Sequence, residues 1–135
     1  MTFTFFKNFN TGTFKCMQTF NNKLYGLKDS KICQIDSDGD VKKQFEISTY
    51  YFLITHLIFV CSMRNYNIIV WNGNTKITEL VGHDGRIKSL FYHNNKLYSC
   101  GCDKKLIIWD TKTFKILKTI VYPIRVYNFK IKDSK

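Results

Sequence analysis

An internal repeat constrains this chain more than any other feature of its sequence. Phe14-Lys15-Cys16-Met17-Gln18-Thr19-Phe20 runs into Asn21-Asn22-Lys23-Leu24-Tyr25. Ile87-Lys88-Ser89-Leu90-Phe91-Tyr92-His93 runs into the same five residue types at Asn94-Asn95-Lys96-Leu97-Tyr98. Between them, Asn67-Ile68-Ile69-Val70-Trp71-Asn72 matches Lys105-Leu106-Ile107-Ile108-Trp109-Asp110 at an offset of 38 residues. A further start, Ile124-Arg125-Val126-Tyr127-Asn128-Phe129, resembles the stretch from Ile87 at an offset of 37. A period near 37 marks a repeated supersecondary unit, too small to bury its apolar face alone, so neighbouring units must do it.

Each unit divides into four short apolar-alternating runs separated by turn residues. Strands are expected at 14–19, 23–27, 32–36 and 42–47, then 50–55, 57–62, 67–72 and 76–80, then 87–92, 96–101, 105–110 and 114–120. Asn21-Asn22, Asp38-Gly39, Asn72-Gly73 and Asn94-Asn95 tolerate the left-handed backbone of tight hairpins. Lone strands are expected at 2–6 and at 124–131, the second opened by Pro123, where a missing N–H costs least. The 12 Phe and 8 Tyr suit strands, and no helical periodicity of useful length competes. The most apolar stretch, Tyr50 to Met63, is interrupted by Thr55 and His56 and falls short of the roughly 20 residues a membrane helix needs.

The residues of the third unit resemble the WD-repeat family, whose members are propellers of four-stranded blades. Leu80 to His83 looks like the family's Gly-His step, Leu97 to Asp103 like its second strand and Asp turn, and Leu106 to Asp110 like its third strand ending in the Trp-Asp pair. The resemblance implies a structural hydrogen-bond network of His83, Ser99, Asp103 and Trp109, with the imidazole between the hydroxyl and the carboxylate. A His-Asp-Ser catalytic triad uses the same residue types. The repeat accounts for each of them, however, and it puts the serine inside a strand instead of on an exposed elbow. The other units depart from the pattern. Asn65 stands for Asp103 and Trp71-Asn72 for Trp-Asp, with Gln44-Phe45 where Gly-His would be; in the first unit Ile35-Asp36 takes the Trp-Asp place.

The expected fold is therefore all-β: a partial β-propeller of about three four-stranded antiparallel blades, with lone strands before and after. It reads as one domain over 1–135, with units near 14–47, 50–80 and 83–120. Three blades do not close a ring, since the family closes with at least four and usually seven. The chain is then a fragment of a longer product, a half-propeller that assembles with itself or with other WD-repeat blades, or a degenerate gene product. Self-assembly suits the blade count, but joining the two lone strands would give a blade of only two strands, which favours missing blades.

The resemblance implies a non-catalytic scaffold for protein–protein interaction. Its compact third unit is closest to the WD domains that target ubiquitin ligases or alpha-type kinases to substrates. The docking candidates on that analogy are Asp84, Arg86 and Cys102, with Arg64 and Tyr66 in the second unit. Partners are then other proteins or peptides, acidic ones in particular, because 21 Lys and Arg against 10 Asp and Glu give a net charge of +11. A basic β-module for nucleic acid or anionic surfaces is the alternative, carried by that charge and by aromatic side chains able to stack on bases. Against it, the lysines form no dense block and most aromatics alternate along strands as core residues do.

No cofactor or metal is expected. Asp36-Ser37-Asp38-Gly39-Asp40 resembles the opening of a calcium loop, yet Ile47 holds the place of the twelfth-position Glu. The five cysteines show neither a disulfide rhythm nor a zinc spacing, and the N-terminus has no basic start or long apolar run. The expectation is a soluble, reduced, cytoplasmic or nuclear protein without membrane association.

Overall fold

A computed structural model describes residues 14–62 and 64–126, and twelve strands occupy the expected places. They are β1 (Lys15–Phe20), β2 (Lys23–Lys28), β3 (Lys31–Ile35), β4 (Val41–Ser48), β5 (Phe52–Ile54) and β6 (Ile58–Cys61), then β7 (Ile68–Asn72), β8 (Thr75–Leu80), β9 (Ile87–His93), β10 (Lys96–Gly101), β11 (Lys105–Asp110) and β12 (Ile116–Val121). They form three four-stranded sheets, ordered β1-β2-β3-β4, β5-β6-β7-β8 and β12-β11-β10-β9, and the pairings with a recorded register are antiparallel. This is an all-β partial propeller. Among the described residues there is no helix long and apolar enough to cross a membrane. The lone strand expected at 2–6 lies outside the described residues. Of the one expected at 124–131, residues 124–126 are not in a strand and the rest lie outside.

Turn chemistry sets the hairpins. Asn21 and Asn22 both have positive φ (50° and 61°), as do Asn94 and Asn95 (50° and 59°), which is the backbone a two-residue hairpin of right-handed twist requires. Asp29 and Ser30 adopt the same pair of angles between β2 and β3, although a Ser there gives little warning in sequence. The last strand starts at Ile116, later than its apolar pattern suggests, because Phe114 turns to φ 60° and donates its N–H to the Asp110 carbonyl at 2.7 Å.

The chain gathers into two compact units. The first holds the sheets β1–β4 and β5–β8 over one apolar core: Tyr25, Leu27, Ile32, Phe45 and Ile47 from one sheet meet Phe52, Ile54, Ile58 and Val60 from the other. Two polar side chains stitch these sheets together. Gln18 follows a bulge at Cys16 (φ 56°), donates its amide N–H to the Phe52 carbonyl and accepts the Ile54 N–H at 3.0 Å. Its amide thus takes the place of a neighbouring peptide on β5. Thr49 is fully buried; its N–H donates to the Ser30 carbonyl at 2.8 Å and its hydroxyl to the Cys61 carbonyl at 2.7 Å. The second unit comprises residues 64–67 and 80–135, with β9–β12 as its sheet.

Thr49→Val keeps the shape and deletes the hydroxyl, so it should destabilise the first unit by about 1–3 kcal/mol, the usual penalty for stranding a buried acceptor. Urea unfolding followed by circular dichroism measures this; a change below about 0.5 kcal/mol would show that the staple carries no weight.

Candidate functional site

The second unit contains a polar chain running inward from a surface loop. Asp103, in the turn between β10 and β11, places Oδ2 2.7 Å from His83 Nδ1, and His83 Nε2 lies 2.7 Å from Ser99 Oγ. The Trp109 indole N–H donates to the same Ser99 oxygen at 2.8 Å. The side chains of His83 and Asp103 are only 1% and 3% exposed, and Ser99 is fully buried. We assign the tautomer from the network. Trp109 donates to Ser99, Ser99 donates to Nε2, and Nδ1–H donates to Asp103, which leaves every proton with an acceptor.

The neutral imidazole agrees with its electrostatics. Burial lowers the His83 pKa, opposed by the hydrogen bond and charge of Asp103, so the close contact is read as a charge-assisted hydrogen bond to a neutral ring. Asp103 also accepts the Asp84 N–H at 3.0 Å, and its Oδ1 accepts the Lys105 N–H at 3.2 Å. One carboxylate therefore ties the loop after β8 to the turn before β11. With its hydroxyl enclosed and bonded on both sides, Ser99 is not presented to solvent as a nucleophile would need to be.

The five docking candidates of the sequence fall in this unit, but in different states. Asp84 is exposed and already ion-paired with Lys105 (2.7 Å), which raises the lysine pKa and lowers that of the carboxyl. Arg86 is exposed, and its carbonyl accepts the Cys102 N–H at 2.8 Å, which brings these two backbones side by side. Cys102 is half-buried. Arg64 and Tyr66 are exposed on the turn before β7, where Tyr66 takes φ 62°.

Gly101 is the residue that sequence reasoning passed over. A Cβ there would sit 2.1 Å from the Arg86 carbonyl oxygen and 2.8 Å from the Ile87 Cα, so only glycine lets the Arg86 loop lie against β10. A glycine closing an otherwise apolar strand was the available signal.

The first unit contains an informative contrast. Leu97 pairs with Trp109 and Ser99 with Ile107, whereas Ile58 pairs with Trp71 and Val60 with Ile69. Val60 thus holds the place of Ser99, and the buried Trp71 Nε1 has no hydrogen-bond partner among the described residues. Asn65 keeps part of the Asp103 role: its Oδ1 accepts the Asn67 N–H at 3.1 Å, as Asp103 accepts from Lys105. At the calcium-like run, the Asp36 carboxylate accepts the N–H groups of Asp38 and Asp40, both at 3.0 Å, and so serves a hairpin turn. Among the described residues the cysteines are free thiols, and burial pushes Cys100 up to about 11, far from thiolate chemistry at neutral pH.

Two outcomes follow. Trp109→Phe and Trp71→Phe remove similar volume, but only the first removes a made hydrogen bond, so its cost should exceed the second by about 1–2 kcal/mol in paired melts. Equal costs would show the indole bond to be inconsequential. Because the fold holds His83 neutral, the unfolded chain takes up the proton first on acidification. The stability owed to neutral His83 is then full above the ordinary imidazole value of 6.5 and lost as pH falls below it. Melting temperature should drop between pH 7.5 and 5.5, and less steeply in His83→Gln; an equal slope in both would refute the assignment.

Comparison with known proteins agrees with these observations. No family model matches the sequence. A protein of Acanthamoeba polyphaga mimivirus named as a BTB/POZ domain and WD-repeat protein is 26% identical over 107 residues, covering 75% of this chain. The WD repeat-containing protein 89 homolog of Dictyostelium discoideum is 35% identical over 99 residues, covering 68% of this chain. The matched parts are 20% and 26% of those proteins' own lengths. In fold, the chain is similar to the crystal structure of the computationally designed Ika8 protein (TM-score 0.70, 18% identity), over 89% of this chain and 40% of that one. Sequence relatives and sheet architecture converge: the chain is WD-repeat-like, and its three four-stranded sheets are those of a partial WD-type propeller.

Proposed function

We propose that this chain is a non-catalytic module for protein–protein interaction that docks partners through the loops of its second unit. The observation that carries this reading is the fixing of those loops. Asp103 holds both the Asp84 N–H and the Lys105 N–H, and the Arg86 and Cys102 backbones are joined at 2.8 Å. A surface held this way loses little conformational entropy when it binds, which is the advantage of a rigid scaffold for recognition. Arg86, Arg64 and Tyr66 are the side chains best suited to make contacts, since Arg and Tyr combine broad contact area with directional hydrogen bonding. Asp84, engaged by Lys105, acts in shaping the loop. The likeness to proteins named for WD repeats supports an interaction role at the family level.

The test is the triple variant Arg64→Ala, Tyr66→Ala, Arg86→Ala, used with the wild-type chain as bait under matched conditions. All three residues are exposed, and the melting temperature of the variant beside the wild type checks that its fold is kept. A protein partner retained by the wild type at 0.5 M salt and lost from the variant is the expected result. A partner set that the triple variant leaves intact would overturn the docking assignment.

A second reading, a basic module for polyanions, is favoured by one observation. The sequence of the second unit carries thirteen Lys and Arg against four Asp and Glu, whereas the first carries eight against six. RNA binding whose affinity falls steeply with salt, by a slope implying several phosphate contacts, would support that reading over the scaffold.

A further inference from the structure

Exposed apolar side chains are concentrated at one place. Of the nine large hydrophobic residues exposed among the described residues, five lie between 116 and 124: Ile116, Leu117, Val121, Tyr122 and Ile124. That stretch includes β12, which ends the sheet order β12-β11-β10-β9 and has β11 as its one sheet neighbour among the described residues. The same region has a single sign of charge. Residues 111–126 contain Lys112, Lys115, Lys118 and Arg125 and no Asp or Glu.

The strand's two faces and its edge can be separated. Tyr122 donates its N–H to the Lys104 carbonyl at 2.7 Å, on the β11 side. Backbone direction alternates along a strand, so the peptide groups of Ile120 and Lys118 also face β11 and those of Thr119 and Val121 face outward. Side chains follow the cross-strand pairs: Ile116, Thr119 and Val121, opposite Trp109, Ile107 and Lys105, line one face, Lys118 opposite Ile108 stands on the other, and a register irregularity falls at Leu117. Natural edge strands are commonly blunted by charge, but here Lys118 lies between exposed Ile116 and Val121, a combination that selects a partner more than it repels one.

We propose that β12 is a strand-addition site for an extended segment of a partner protein in which acidic and apolar residues alternate. The segment pairs its backbone with the outward groups of Thr119 and Val121, lays its apolar residues against Ile116 and Val121, and sets a carboxylate opposite Lys118. Charge selects this occupant. A second copy would bring another strand bearing Lys118, with Lys115 just before it, from a unit with the same excess of basic residues, and like charges directly across a strand pair are destabilising. A nucleic acid would satisfy the lysines but leave the apolar face wet. The assignment rests on other residues than Arg64, Tyr66 and Arg86, so it does not depend on the docking role proposed for those loops.

The test uses the full 135-residue chain and a fluorescein-labelled ten-residue peptide alternating Glu with Val, followed by anisotropy at 0.15 M salt. The expected result is saturable binding that weakens at least about tenfold in Lys118→Glu and in Thr119→Pro, with no change in Lys42→Ala, an exposed lysine of the first unit. A peptide of the same sequence, N-methylated at alternate residues, keeps its charges and side chains but cannot pair, and should also lose at least about tenfold. This arm leaves the protein untouched, so it decides the matter even where a variant fails to fold. Absence of binding, equal binding of the N-methylated peptide, or equal binding of a Lys-Val peptide would overturn the proposal. So would a dimer in sedimentation equilibrium that Leu117→Ser dissolves, which would make a second copy the occupant. Tighter binding of a single-stranded oligonucleotide that displaces the peptide would make it a nucleic-acid edge.

Discussion

The second unit depends on one buried carboxylate. Asp103 accepts hydrogen bonds from the His83 ring, the Asp84 backbone and the Lys105 backbone, donors that come from two stretches of chain, the loop after β8 and the turn before β11. Through His83 the same network reaches Ser99 and then Trp109. A carboxylate with little solvent exposure is costly unless its lone pairs are filled, and here each donor that fills one also fixes a piece of backbone. The loop after β8 and the turn before β11 are thus held by a side chain where no strand pairing is available. Burial of the imidazole completes the arrangement, since a neutral ring can donate to Asp103 and accept from Ser99 at once.

The first unit reaches a similar sheet geometry without that device. Its two sheets share an apolar core, and Gln18 and Thr49 supply the cross-sheet hydrogen bonds that strand pairing cannot. Trp71 shows what remains when the polar chain is absent: the indole packs, but its N–H has no acceptor among the described residues, since Val60 stands where Ser99 does. The repeat therefore conserves shape through two different solutions, one dominated by a directed polar chain and one by area burial.

The strands were legible because alternation recurs with the repeat along all twelve, and Asn- or Gly-bearing turns mark four of the hairpins between them. The His83, Ser99, Asp103 and Trp109 geometry was legible only through resemblance; nothing in spacing alone brings residues sixteen and twenty apart into one line. Thr49, Gln18 and Gly101 escaped notice for a common reason. Each acts on backbone from a distant segment, and the identity of a carbonyl's neighbour leaves no mark on its residue type. The Asp29-Ser30 turn was hidden for the opposite reason, since local chemistry there is ordinary and the hairpin imposes the angles. An incomplete ring of meander sheets implies unpaired edges, but which side chains of β12 stand exposed depends on packing that the alternating pattern does not specify.

The two-residue Asn turns have a consequence for how the protein reaches this structure. Sheets built solely from consecutive hairpins make contacts between residues close in sequence, so little loop entropy is lost before pairing is rewarded. Each sheet can then close by zippering from its turns on the microsecond scale typical of hairpins. The bonds from Gln18 to β5, spanning 34 and 36 residues, must await sheets that already exist. Changes in the turns should therefore register in the folding rate, and changes in the stitches in the unfolding rate, which makes the polar stitches the guardians of lifetime once the sheets have formed.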